Sequence, residues 1–147
     1  MKLRLFLDSS VLFAAAYSKH GHSYDLIHLA IDDQVTLVTS PLVLLETTRN
    51  LASSAPEHLA ALQRILEAIP FEMVRPTTRE VRAAARHVVL KDAPILAAAR
   101  KAKVDYLVTL DKKHLLGKPE LAQYARTLIA APQEVVQGLT PNPKKLL

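Results

Sequence analysis

The sequence predicts an α/β protein, a three-layer α/β/α arrangement around a central, mainly parallel sheet. Three observations point there. Apolar runs of strand length alternate with helical patterns along the chain, the signature of βαβ units. Two of those runs, Leu3–Leu7 and residues 106–110, each lead into an aspartate, Asp8 and Asp111. Half of the 147 residues are apolar, with no repeat of fixed period and no linker, which suits one domain with a core large enough to be stable alone.

The elements follow in order. LRLFL is the first strand, and the Ala-rich residues 11–17 supply one or two helical turns. KHGHS (19–23) is a loop whose Ser23 can cap a helix over residues 24–32, where Leu26, Ile27, Ala30 and Ile31 form an apolar stripe. Residues 35–38 read as a second strand. Ser40-Pro41 then starts a helix to about Leu51, with a hydroxyl cap followed by proline at the first helical position. Residues 53–56 break the chain, and residues 56–69 form an amphipathic helix with Leu59, Leu62, Leu66 and Ile69 on one side. Residues 71–74 are a third strand. Thr77 or Thr78 caps a helix reaching about His87, and residues 92–103 are a further helix, Ala-rich enough to pack closely on a sheet. The strand at 106–110 follows, then helical turns around residues 114–116 and 120–124, and a last strand at 127–130. The organisation expected is a single domain over residues 1–137 and a loose basic tail over residues 138–147, where Pro141 and Pro143 fall.

Composition narrows the function classes. Cysteine is absent, which excludes a disulfide framework, a thiolate nucleophile and Cys-ligated zinc. No apolar run approaches the ~20 residues needed to span a bilayer, and the chain opens on a strand rather than a signal peptide, so a cytoplasmic protein without membrane association is expected. The formal charge of +5 is unevenly spread. Residues 1–90 hold 9 Lys+Arg against 9 Asp+Glu, whereas residues 91–147 hold 10 against 5. Lys91, Arg100, Lys101, Lys103, Lys112, Lys113 and Lys118 flank the second aspartate strand. Such a run is either a solvated face or a footprint for phosphates beside an acidic pocket.

Four acids are candidates for that pocket. Asp8 and Asp111 are either turn residues after their strands or two walls of one site at the carboxyl edge. Glu46 falls between Leu42 and Val43 on the helical wheel, at the apolar face, where a charge needs a partner; Arg49 at i+3 is the ordinary one. Asp92 precedes Ala93-Pro94, so it caps that helix, faces the sheet edge, or both. Four carboxylates at one edge repel, and a hard divalent cation removes the repulsion; oxygen ligands suit Mg²⁺ or Mn²⁺ rather than zinc. Glycine occurs only at positions 21, 117 and 138, so no Gly-rich turn follows Asp8 and a dinucleotide site is disfavoured. A receiver-type phosphoacceptor is disfavoured too, because no acidic residue lies in TTRNL. His20 and His22 read as polar loop residues, His114 has no motif support, and the four tyrosines show no stacking pattern.

LFLDSSV, SPLVLLET, KDAPILAAA and YLVTLDKKHL, in that order and spacing, resemble the PIN-domain family of nucleases over Leu3 to about Ala130. The resemblance implies a PIN-like fold and carries the family's acidic positions onto Asp8, Glu46, Asp92 and Asp111. Where the family often has Thr-Asn after its first aspartate, this chain has Ser9-Ser10. It implies a Mg²⁺- or Mn²⁺-dependent endoribonuclease that hydrolyses single-stranded RNA. In that picture Asp8 and Asp111 are primary ligands, Asp92 ligates directly or through water, and Glu46 positions water or a second ion. Ser9 or Thr109 binds a phosphate oxygen or holds a carboxylate, with Lys112 near the phosphate. Asp105 resembles a residue that leads into a strand. Small single-domain members of similar length are toxins with a separate antitoxin chain as partner, and homodimers are common in the family. The alternatives are a metal-free PIN-like RNA-binding or scaffold protein and a PIN nuclease of RNA processing.

Overall fold

The computed structural model describes residues 2–139. Five strands, β1 (Leu3–Leu7), β2 (Val35–Thr39), β3 (Glu72–Met73), β4 (Tyr106–Val108) and β5 (Leu128–Ala130), form one sheet in the order β3-β2-β1-β4-β5. Every pairing is parallel, so the sheet is wholly rather than mainly parallel. Parallel strands buried on both faces read as continuous apolar runs, and Leu5, Phe6, Leu7, Leu107 and Val108 are fully buried.

Eight helices cover the sheet: α1 (Ser9–Tyr17), α2 (His22–Ile31), α3 (Pro41–Ser54), α4 (Leu59–Ala68), α5 (Thr78–Ala84), α6 (Ala93–Ala102), α7 (Pro119–Ala125) and α8 (Pro132–Leu139). They sort into two layers. α1 packs on α2, α3 and α4, and α2 packs on α8; separately, α6 packs between α5 and α7. The small side chains of α6 allow the close approach: Ala93, Leu96, Ala97, Ala98 and Ala99 are all buried.

The chain order locates the crevice. From central β1 the chain winds outward through β2 to β3, then crosses back to β4 on the other side of β1. The topological switch point therefore falls between the carboxyl ends of β1 and β4, between Asp8 and the segment leading to Asp111.

Several boundaries differ from the sequence reading. Gly21, in extended conformation, is the N-cap of α2, and Ser23 is buried within its first turn. Pro56 opens a separate 3-10 turn (Pro56–His58) before α4 begins at Leu59, so residues 56–69 are not one helix. The strand at 71–74 shrinks to two residues because β3 is an edge strand with a partner on one side only. Gly138 and Leu139, assigned to the tail, complete α8; the rest of that segment lies outside the described residues. Two signals hold as read. Ser40 Oγ accepts the Val43 amide at 3.2 Å with Pro41 first in α3, and Thr77 caps α5 through a reciprocal box with Glu80.

Candidate metal centre

Asp8 follows β1 and caps α1 in extended conformation. Its side chain is buried, and its two oxygens are almost fully used. Oδ1 accepts the Ser10 amide at 3.0 Å, the Ser10 hydroxyl at 2.5 Å and the Val11 amide at 3.3 Å. Oδ2 accepts the Thr109 hydroxyl at 2.5 Å, which leaves one lone pair on that oxygen. Burial pushes the Asp8 carboxyl above its ordinary range, against the lowering effect of the hydrogen bonds from Ser10, Thr109 and Val11.

Two hydroxyls tie β1 to β4 at this edge. Thr109 donates to Asp8 and accepts the Asp111 amide at 3.1 Å; it is fully buried. Its hydroxyl holds a carboxylate and is closed to a phosphate. Ser10 donates to Asp8 and accepts the Leu110 amide at 3.1 Å, so a hydroxyl spans the strand ends where the family pattern has an amide side chain.

Asp111 sits at the head of a turn over residues 112–117. Its Oδ1 accepts the amides of Lys113 (3.0 Å) and His114 (2.9 Å), and its Oδ2 lies 3.2 Å from His114 Nδ1. Buried Leu115 anchors the turn, and Gly117 at φ +72° closes it towards α7, a conformation that favours glycine. Burial raises the Asp111 carboxyl, but the His114 and Lys113 hydrogen bonds outweigh it and set the net shift downward.

Asp92 stands at the N-cap position of α6 but makes no side-chain capping bond. Its backbone is already helical, as the last residue of the 3-10 turn Leu90–Asp92, and its side chain receives no amide of the helix. The carboxylate points instead towards Asp111 and His114. Asp92 Oδ2 is buried without a hydrogen-bond partner, 3.7 Å from His114 Nδ1. Desolvation raises its carboxyl, eased by Lys91 and His114 and worsened by the charge of Asp111. A buried carboxylate oxygen with no donor is costly and rare in folded proteins.

Ligand atoms of Asp92, Asp111 and His114 all lie within 4.8 Å of one another. Asp8 lies outside that group but reaches Asp111 through Thr109. Glu46 also lies outside it, half-buried on α3, and makes no hydrogen bond or ion pair among the described residues; the Arg49 partner expected at i+3 is not formed. Ser9 lines a hollow between α1 and α3 with Phe13 and Asn50, and Lys112 is exposed. The residue sequence reasoning underrated is His114. Its signal was the i+3 spacing from Asp111 across a turn, visible only once that turn is known to fold back over the carboxylate.

The donors fit a hard cation. Two carboxylates converge, and one of their oxygens lacks any donor. The His114 ring meets Asp111 through the nitrogen that faces its carboxylate, the arrangement in which an imidazole orients a ligand.

Comparison with known proteins follows this geometry. Three solved structures share the fold. PAE2754 from Pyrobaculum aerophilum matches at 22% identity and TM-score 0.65, over 95% of this chain and 98% of that one. VapBC2 from Rickettsia felis, solved bound to a DNA fragment from its promoter, matches at 13% and 0.60, over 88% and 98%. Mycobacterium tuberculosis VapC20, described as a sarcin–ricin loop cleaving toxin, matches at 23% and 0.54, over 74% and 91%. At these identities the likeness is one of fold. No curated protein matches the chain. The PIN domain family model matches residues 4–113, well over half of the sequence, and the chain belongs to the PIN domain family.

Proposed function

We propose that the chain is a Mg²⁺- or Mn²⁺-dependent endoribonuclease that hydrolyses phosphodiester bonds of single-stranded RNA, acting as the toxin of a toxin–antitoxin pair. The observation that carries the reading is the Asp92–Asp111 pair with its unpartnered buried oxygen, at the switch point of a PIN fold. The VapC fold neighbours support the toxin assignment, since one is described as a sarcin–ricin loop cleaving toxin and another is VapBC2 bound to a fragment of its promoter. An antitoxin chain is the partner this reading implies.

In this reading Asp92 and Asp111 hold the cation, and the free lone pair of Asp8 Oδ2 reaches it through a water. Bound there, Mg²⁺ or Mn²⁺ lowers the pKa of a water and offsets charge on the phosphate under attack. The other tasks fall to the chain's own groups. Thr109 and Ser10 hold the Asp8 carboxylate and set its spacing from Asp111. His114 orients Asp111. Glu46, without a hydrogen-bond or ion-pair partner among the described residues, receives the proton of the attacking water or orients it. Lys112 and Lys113, exposed beside Asp111, draw the phosphate backbone to the edge.

Calorimetric titration with Mn²⁺ and cleavage of single-stranded RNA in Mg²⁺ test the reading together. The native chain binds the ion and cleaves; Asp92→Asn loses the binding, and Asp8→Asn and Asp92→Asn both lose cleavage. Undiminished cleavage by either variant, or no Mn²⁺ uptake by the native chain, sinks the proposal.

A further inference from the structure

The amino edge of the sheet carries a cavity of about 730 Å³, at the other end of β4 from Asp111. Asp105 lines it, and five residues, 106–110, separate it from Asp111, a span of up to about 20 Å. Helices α6 and α7 run antiparallel to the strands, so both of their C-terminal ends lie here. Each ends on a left-handed residue that is not glycine: Lys103 at φ 54° and Arg126 at φ 54°. Glycine is the usual occupant of that position because an L side chain is strained there. At both ends this chain places a cation that lines the cavity.

Arg100 and Lys101 line it too. The two acids in the wall are already engaged. Glu80 receives Lys101 at 3.0 Å and the Thr77 amide, and Asp105 Oδ2 accepts the Arg4 amide at 2.8 Å. Arg100, Lys103 and Arg126 have no carboxylate partner among the described residues. Arg100 is held 4.5 Å over the Tyr124 ring, which itself stacks on His87 at 4.1 Å; this fixes the guanidinium without neutralising it. The two helix ends together contribute about one negative charge and Asp105, bonded only to a neutral amide, one more, still fewer than the three uncommitted cations. An adjoining hollow shares Val104, Asp105 and Arg126 and extends the cavity into a trough. Its volume lies in the range of small-molecule sites.

We propose that this trough is a phosphate-binding site, separate from the acid pocket, that takes two or more adjacent phosphates on Arg100, Lys103 and Arg126. Adjacent phosphates come as the polyphosphate of a free nucleotide or as successive linkages of an RNA strand. Arginine forks match phosphate oxygens in pairs, and the lysine adds a point charge. The site stands independently of the nuclease reading.

The test measures binding in EDTA at low salt, where no cleavage occurs, with two probes: ATP and a short fluorescein-labelled oligoribonucleotide. K103G/R126G removes both charges while supplying the residue the backbone prefers, so its Tm stays level or rises. Its affinity falls roughly tenfold or more. The charge reversal Arg126→Glu weakens binding as well and guards against a misfolded double variant. K19Q/R64Q, which removes two cations from the α1–α4 face, leaves binding unchanged. Loss for ATP alone identifies a free nucleotide; loss for the oligonucleotide, alone or with ATP, identifies the strand. The proposal is overturned if the native chain binds neither probe, if K103G/R126G and R126E bind as the native chain does, or if K19Q/R64Q weakens binding equally. None of these outcomes bears on Mn²⁺ binding or RNA cleavage at Asp92.

Discussion

Asp92 Oδ2 is buried without a donor, whereas the Asp8 oxygens receive four. Replacing them by asparagine therefore has different consequences. Asp92→Asn removes an uncompensated charge; in EDTA it should stabilise the fold by about 1 kcal/mol, a Tm gain of about 3 °C, and it should abolish the further rise on adding Mg²⁺. Differential scanning fluorimetry reads both. The pH dependence has a defined sign. A carboxyl held above its unfolded value, as in Asp8 and Asp92, weakens the fold while ionised, and that burden lifts as pH falls through its folded pKa. Asp111 is lowered, so its contribution is present above the ordinary carboxylate range and is lost only below it. In EDTA, Tm should rise as pH falls towards the ordinary carboxylate range; with Mg²⁺ it should fall, because protons compete with the ion. Equal slopes in the two buffers would count against the site. Thr109→Val removes the hydroxyl shared by Asp8 and the Asp111 amide. We expect a loss of about 2 kcal/mol in urea unfolding and a Mn²⁺ affinity reduced by about 10- to 100-fold, with Thr109→Ser largely restoring both.

The elements were most legible where one residue carries the local signal. Ser40-Pro41 and Thr77 with Glu80 fix helix starts through hydroxyls that satisfy free amides, whatever the rest of the molecule does. Ser40→Ala should cost about 1 kcal/mol by loosening the first turn of α3, the helix that bears Glu46, and Ser40→Asp should recover it; urea midpoints decide. Signals were misleading where backbone geometry competes with side-chain type. Gly21 takes the extended cap conformation that Ser23 was expected to adopt, and Asp92 ends a 3-10 turn that leaves its backbone helical and its carboxylate free of the helix amides. The end of β4 at Val108 rather than at residue 110 has the same origin: Thr109 turns inward to bind Asp8, and Leu110 leaves the ladder to bind Ser10.

At the scale of the whole molecule, cations of the basic segment gather on two surfaces among the described residues. Lys112 and Lys113 lie beside Asp111 at the carboxyl edge, while Arg100, Lys101, Lys103 and Arg126 gather at the amino edge. RNA binding should weaken linearly in a log–log plot against salt, and Lys112→Ala/Lys113→Ala should lower the slope by about 0.7 per phosphate contact removed, as anisotropy titrations would measure. The sequence by itself determined the α/β class, the approximate places of the strands and the helix starts at Ser40 and Thr77, because these rest on periodicity and on contacts between near neighbours. Only the tertiary structure decided which acids meet. Strand order brings Asp8 and the Asp111 segment to one switch point, the 112–117 turn folds His114 onto Asp111, and the lead into α6 aims Asp92 at both. Glu46 remains outside that cluster on α3. The Asp8–Thr109 bond joins residues 101 positions apart and the Asp92–His114 approach residues 22 apart, and periodicity is silent over both ranges.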